Sequence, residues 1–304
     1  MLGANYRTVE PAEVAAAHGR VARYAWGTDY HVVIRDRLRR LAECHRRLTP
    51  GVLVRGVVDT APLLERQFAQ LAGLGWIGKN TLLVNDRFGS WLFLAALLTS
   101  AELDYDEPFA ASRCGACRAC LDACPTGALV DAYRLDARKC ISYLTIELKG
   151  AIPHKLRPGL GEWLFGCDVC QQVCPWNHRT PVSPVHDFAP APGLNPAALV
   201  GLFDLDEEAF RRRFRHTSLW RAGRRGLLRN AAVVLGNQRD LSSLPALLRG
   251  LHDQEALVRG ACAWALGQLS QPQAQLALRE QLASERDPLV RAEIQDAIAK
   301  AEPG

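Results

Sequence analysis

No stretch of this sequence stays apolar for long. A membrane-crossing helix needs ~18 or more apolar residues in succession, and the longest candidate is WLFLAALL, Trp91 to Leu98. That run reads as a buried strand or a segment of core helix. Also missing is a basic stretch followed by an apolar one at the N-terminus, so a cytoplasmic chain is expected rather than an exported one. There is no Gly-x-Gly-x-x-Gly and no P-loop, hence no sign of a dinucleotide or a nucleoside triphosphate. Acidic residues are absent from RRRFRHTSLWRAGRRGLLR, residues 211 to 229, which holds eight arginines. Removing those from the net charge of +5 leaves the remainder slightly acidic. Such a stripe suggests a polyanionic partner, although a solvated helix face produces the same pattern.

Cysteine, by contrast, is plentiful. Ten occur in 304 residues, and in a reducing compartment they point to metal rather than disulfides. SRCGACRACLDACPTGAL places Cys114, Cys117, Cys120 and Cys124 ahead of a proline, the spacing of bacterial two-cluster ferredoxins. FGCDVCQQVCPWN adds Cys167, Cys170 and Cys174, and Cys140 lies between the two runs. In that pattern the last cysteine of each run crosses to the other cluster. One 4Fe–4S cluster then sits on Cys114, Cys117, Cys120 and Cys174, the other on Cys124, Cys140, Cys167 and Cys170. Two structural zinc sites of four cysteines each are the rival, although zinc favours paired Cys-x-x-Cys knuckles over a triple run. Cys44 and Cys262 remain, and both read as small buried hydrophobes on helices.

Along the chain, residues 1–108 read as α/β. Asp29 can cap a helix whose apolar face carries Val33, Ile34, Leu38, Leu41 and Leu48. GVLVRGVVD alternates as a strand ending at Asp59, and Thr60 and Pro62 open a helix bearing Leu64, Phe68, Leu71 and Leu74. Asp59 thus stands where a strand gives way to a helix, the end that faces the ligand crevice in many α/β folds. Residues 109–180 form the cysteine module, and 181–200, rich in Pro and Ala, a linker. From 201 to 304 the pattern is helical. LLRNAAVVLG, LVRGACAWALG and LVRAEIQDAI place arginines at 229, 259 and 291, an approximate HEAT-like repeat. The fold class is therefore α/β plus α.

Several stretches together resemble the epoxyqueuosine reductases, cobalamin-dependent iron–sulfur enzymes that complete queuosine in tRNA. They are ARYAWGTDYH (22–31), VDTAPLLER (58–66), GLGWIGKNTLL (73–83), FGSWLFLAALLT (88–99), the first cysteine run, and LDARKCISYLTIELKGAIPHKLRPGLGEWLFGCDVCQQVCPWN (135–177). The likeness continues to the C-terminal RNAAVVLGN and covers nearly the whole chain. Members carry a further N-terminal segment before the NYR-like strand, so part of the family's cobalamin domain is expected to be missing here. Ala95 stands where the family has Gly.

The resemblance implies an oxidoreductase that removes the epoxide oxygen of epoxyqueuosine at the wobble position of tRNA, the last step in making queuosine. It implies two 4Fe–4S clusters passing electrons from an external low-potential donor to cobalamin, in a monomer without membrane attachment. Asp59 matches the proton donor, and burial beside the corrin would keep it protonated. Read alone, an Asp before Thr is a helix cap. Tyr30, His31 and Arg66 match positions around the substrate, with Arg66 two helical turns after Asp59 on the same face. Arg23, Leu83, Ser142 and Asp168 are the implied cobalamin contacts, whereas Trp26, Trp76 and Trp91 read as core. Lys149, Lys155, Arg221, Arg224, Arg225 and Arg229 are candidates to hold tRNA phosphates. Two other functions share these features. One is a different cobalamin iron–sulfur reductase, such as a reductive dehalogenase. The other is a non-catalytic electron carrier or tRNA-binding adaptor.

Overall fold

The computed structural model describes residues 1–300. Its strands are β1 (Leu2–Asn5), β2 (His18–Val21), β3 (Val54–Val58), β4 (Trp76–Ile77), β5 (Leu83–Val84), β6 (Leu92–Thr99), β7 (Leu129–Asp131), β8 (Arg134–Leu135), β9 (Trp163–Phe165) and β10 (Ala197–Ala198). Its helices are α1 (Tyr30–Leu48), α2 (Glu65–Leu71), α3 (Ala119–Asp122), α4 (Ile141–Ile146), α5 (Val169–Gln172), α6 (Glu207–Phe214), α7 (Gly223–Gln238), α8 (Leu244–Leu251), α9 (Ala256–Leu269), α10 (Pro272–Ser284) and α11 (Pro288–Ala299). No described helix is long and apolar enough to cross a membrane.

The chain divides into two compact units whose segments interleave. One comprises Met1–Glu10, Arg23–Asp136 and Asp168–Pro190; the other comprises Pro11–Ala22, Ala137–Cys167 and the chain from Ala191 onward. The cysteine-rich stretch is therefore shared out between units rather than standing as a block of its own.

In the first unit, WLFLAALL resolves as a strand. β6 lies at the centre of an antiparallel sheet in the order β1-β6-β3. Helix α1 covers that sheet with Val33, Ile34, Leu38 and Ala42, against Tyr6, Val58, Trp91, Phe93 and Phe188. Leu41 and Leu48, expected on this face, are exposed instead. A 3.6-residue period carries the seam along 34, 38 and 42, and leaves 41 and 48 beside it. The helix runs so close over β3 that a Cβ at Gly56 would fall 2.8 Å from the Leu38 Cβ. Trp26, Trp76 and Trp91 are all buried, as core residues should be.

The second helix begins later than the sequence suggests. Residues 59–64 form turns, α2 starts at Glu65, and Leu64, Phe68 and Leu71 are exposed while Ala69 is buried. Cys44 likewise faces outward, whereas Cys262 is fully buried.

In the second unit, β2 pairs with β10 antiparallel and with β9 in parallel. The stretch expected to be a linker thus supplies a strand, and it also buries Leu194 and Leu199. Helix α9 packs between α7 and α11, with α8 and α10 flanking it. The fit is tight enough that a Cβ on Gly236 would come within 2.6 Å of the Trp264 ring. The recurring arginines hold this stack by its carbonyls. Arg229 donates to Leu144, Leu148 and Gly150, Arg259 to Asp253 and Gln254, and Arg291 to Leu282 and Glu285.

Candidate active site and cluster cavity

Asp59 leaves the C-terminal end of β3, at the turn before α2. It caps no helix there, because the residue at the head of α2 is Leu64 and no side chain closes that end. The Asp59 carboxylate turns instead to the first turn of α1, whose cap is Asp29. Tyr30 donates its hydroxyl to Asp59 Oδ2, and His31 Nε2 lies 2.6 Å from Asp59 Oδ1. On its other side the His31 Nδ1 is 2.7 Å from Asp29 Oδ1, which also accepts the His31 backbone N–H at 3.0 Å. One imidazole therefore stands between two carboxylates. The Tyr30 ring stacks on both His31 and Phe93, with centroids 4.1 and 4.3 Å away.

The electrostatics follow from this geometry. The hydrogen bond to Asp29, then the one to Asp59, pushes the His31 imidazolium up to about 9 against the pull of burial. Burial pushes Asp29 up, but the bonds from His31 outweigh it and hold that carboxyl below its usual value. Burial and then the bond to Asp59 raise the Tyr30 phenol, so its proton stays in place. The Asp59 side chain itself is 39% exposed. Burial was the expected means of keeping this carboxyl protonated, but the side chain is partly open to solvent and has His31 beside it.

Arg66 belongs to the first turn of α2, not two turns along it, and donates to the Thr81 carbonyl. Its neighbour Glu65 also bears on the site. Burial first, then the charge of Asp59, pushes its carboxyl up to about 7. Its place in VDTAPLLER, six residues after Asp59, was the only sequence signal for it.

In the same unit, Cys114, Cys117, Cys120 and Cys174 line a cavity of about 300 Å³. These are the four that spacing assigned to one cluster. Lys79 holds the cysteine loop by donating to the carbonyls of Gly115 at 2.6 Å and Cys117 at 2.9 Å, a role that sequence reasoning missed. Burial first, then neighbouring thiols, raises Cys120 and Cys174. Four thiols in one half-buried hollow fit a cationic cluster that takes them as thiolates. Among the described residues no three metal-binding side chains converge on a single ion. Elsewhere, the Ala128 amide donates to Cys124 Sγ at 3.2 Å, a contact of the kind that tunes cluster potentials. Cys170 lies just after Asp168 in the first unit, while Cys140, heading α4, and Cys167 belong to the second.

Three of the four implied cobalamin contacts have side chains inside the protein. Arg23, Leu83 and Asp168 are all buried. Arg23 packs over the rings of Trp26 and Trp91, and its backbone N–H donates to Asp168 Oδ2 at 2.7 Å. Burial pushes Asp168 up to about 6. Ser142, in α4, is partly exposed.

Two of the arginines proposed for phosphate binding are corrected by burial. Arg229 is 1% exposed, and its donors go to carbonyls and to Asn230. Arg224 is 7% exposed and grips Asp253 through both terminal nitrogens, with Leu205 O on its Nε. Lys149, Lys155, Arg221 and Arg225 are exposed. Arg221 pairs with Glu147 at 2.5 Å, and Arg225 stands 3.9 Å from Glu255.

Comparison with known proteins agrees with this layout. Residues 1–60 match the family described as epoxyqueuosine reductase QueG, DUF1730, residues 113–177 a 4Fe-4S double cluster binding domain, and residues 221–299 HEAT repeats. An epoxyqueuosine reductase of Pseudomonas aeruginosa is 49% identical over 81% of this chain and 68% of its own length. One from Shigella dysenteriae is 44% identical over 82% of this chain and 66% of its own. The chain thus spans about two thirds of the length of these relatives. A crystal structure of epoxyqueuosine reductase with an epoxyqueuosine-modified tRNA-Tyr stem loop superposes with a TM-score of 0.92 at 34% identity, covering 99% of this chain and 80% of that one. With its double-cluster domain, its HEAT repeats and this degree of identity, the chain belongs to the epoxyqueuosine reductase family.

Proposed function

We propose that this chain reduces epoxyqueuosine to queuosine at the wobble position of tRNA. The observation that carries the reading is the Asp59 carboxylate. It is partly exposed, caps no helix and stands 2.6 Å from His31 Nε2, in the same compact unit as the four-thiol cavity. Removing the epoxide oxygen breaks both C–O bonds, forms a C=C bond and consumes two electrons and two protons, with water as the product. An alkoxide is a poor leaving group near neutral pH, so an acid must protonate the oxygen as it departs. Asp59 is that acid.

Two 4Fe–4S clusters, when bound, would supply one-electron transfer from an external low-potential donor. One cluster is held by Cys114, Cys117, Cys120 and Cys174, the other by Cys124, Cys140, Cys167 and Cys170. Cobalamin is proposed on the resemblance; when bound, it would supply a reduced cobalt able to pass electrons to the epoxide. The stretches that carry Arg23, Leu83, Ser142 and Asp168 are its proposed contacts, and of these four side chains Ser142 is the partly exposed one. Tyr30 fixes one oxygen of Asp59, and Arg66 stiffens the loop that includes Thr81, beside the substrate.

Exposed Lys149, Lys155, Arg221 and Arg225 take the tRNA backbone, and the modified base is turned out of its stack to reach Asp59. Because tRNA is the substrate, we take the enzyme to act in the cytoplasm, as a monomer.

The test is Asp59→Asn, which keeps size but cannot deliver a proton. Turnover of epoxyqueuosine tRNA is expected to fall by roughly 10² to 10⁴. Tight tRNA binding and about eight irons per chain, from two four-iron clusters, should persist. Normal turnover by this variant would remove Asp59 from the chemistry.

A further inference from the structure

We propose that His31 is the proton store of Asp59: it holds a proton on Nε2, passes it to the Asp59 carboxylate, and is itself fixed by Asp29. This inference rests on the reading of Asp59 as donor to the epoxide oxygen, and it deepens that reading.

The contacts leave few alternatives. His31 Nε2 is closed to solvent and lies 2.6 Å from Asp59 Oδ1. The other oxygen of Asp59 accepts from Tyr30, whose phenol keeps its proton for the reason given above. Asp29 is the N-cap of α1, so its position is set by the helix it starts. It holds Nδ1–H, and once Nε2 has released its proton the neutral ring is left as a single tautomer facing the right way. The same logic orients the imidazole in hydrolase triads. The other charged groups near this set are Arg35, which faces Asp29, and Glu65 and Arg66 from α2. Of Tyr30 and His31, which both touch Asp59, it is His31 that can yield a proton near neutral pH.

The balance is simple. The Nε2 proton of His31 passes to the Asp59 carboxylate, and as the first C–O bond breaks the departing oxygen takes that proton from Asp59. The pair is refilled from water through the partly exposed Asp59, and the second proton completes the departing water molecule. The two electrons arrive from the external donor. His31 is accordingly a positioning residue that acts through Asp59, and its effect should depend on pH.

Two measurements test this. The first uses the chain without cobalamin or tRNA, labelled with ¹⁵N-histidine. The imidazole resonance that disappears in His31→Gln should titrate near about 9. Asp29→Asn and Asp59→Asn should each lower that midpoint. A midpoint at the ordinary histidine value, or one that Asp59→Asn fails to move, overturns the store. The second is single turnover of cobalamin-loaded protein on substrate tRNA. His31→Gln should be slower by roughly 10², with a steeper loss as pH rises. Added imidazole should restore His31→Gln but not Asp59→Asn. Wild-type rates in His31→Gln, or a loss that imidazole does not repair, overturn the proposal. So does equal loss in Glu65→Gln, which would move the store to α2. If the wild-type chain binds substrate tRNA yet leaves the epoxide intact, the proposed function falls, and the titration still decides whether His31 holds the proton for Asp59.

Discussion

Glu65 faces Asp59 from the start of α2 with its carboxyl raised to about 7, first by burial and then by the Asp59 charge. A folded-state value above the ordinary one means that the native protein binds the proton more tightly than the unfolded chain does. Its contribution to stability is complete below the ordinary carboxyl range and disappears as pH rises through about 7. Glu65→Gln is therefore expected to match wild type in melting temperature near pH 4 and to exceed it near pH 8, roughly the two ends of that window. Equal melting temperatures across the range would show that the carboxyl feels neither burial nor Asp59. At this scale the sequence was partly legible. A strand ending at Asp59 and a cap at Asp29 follow from local pattern alone. The convergence of both carboxylates on His31 does not, because positions 29 and 59 are brought together by a helix lying across a sheet. Arg66 was assigned to the wrong turn for a related reason: the six residues after β3 are turns, and Thr60 and Pro62 mimic a helix start that comes later.

Arg229 sets the lesson for whole elements. On helix α7 it reads as the end of a basic stripe, but it turns inward and ties α7 to the carbonyls of Leu144, Leu148 and Gly150. Burial first, then the charges of Arg157 and Arg225, lowers it to about 10. Replacing it by Ala strands the buried Leu144 carbonyl, worth roughly 1–3 kcal/mol when unpaired, and takes the donor from the carbonyls of Leu148 and Gly150. Arg229→Ala should cut the melting temperature steeply, whereas Arg225→Ala, half exposed, should change stability by at most about 0.5 kcal/mol. Thermal melts of the two variants side by side check this; similar behaviour would deny Arg229 its structural role. The helices themselves were readable, since a spacing of about thirty residues between similar apolar runs signals stacked pairs. Whether an arginine in such a run points in or out was not readable. That depends on which neighbouring loops offer carbonyls, and those loops lie about eighty residues earlier in the chain.

Across the whole molecule, the sequence read as successive blocks, whereas the structure interleaves two units. Local composition cannot reveal that β2 pairs with β9 and β10, because those hydrogen bonds join residues more than a hundred positions apart. Pro and Ala suggested a linker where a strand forms. The charge distribution needs the same revision. With Arg224 and Arg229 inside, the surface offered to a polyanion is smaller than the count of basic residues implies. Replacing Lys149, Lys155, Arg221 and Arg225 together by Ala should weaken tRNA binding. It should also flatten its dependence on salt, by about 0.7 to 0.9 in logarithmic slope for each phosphate that is no longer neutralised. An unchanged slope would place the tRNA elsewhere. Asp29, finally, answers to two standards of selection. As the residue that starts α1, it could drift among Ser, Thr, Asn and Asp with little harm. As the anchor of a charged imidazole it has to keep a carboxylate. The alphabet open to that position is the overlap of the two, and the demand of the chemistry narrows what the helix alone would tolerate.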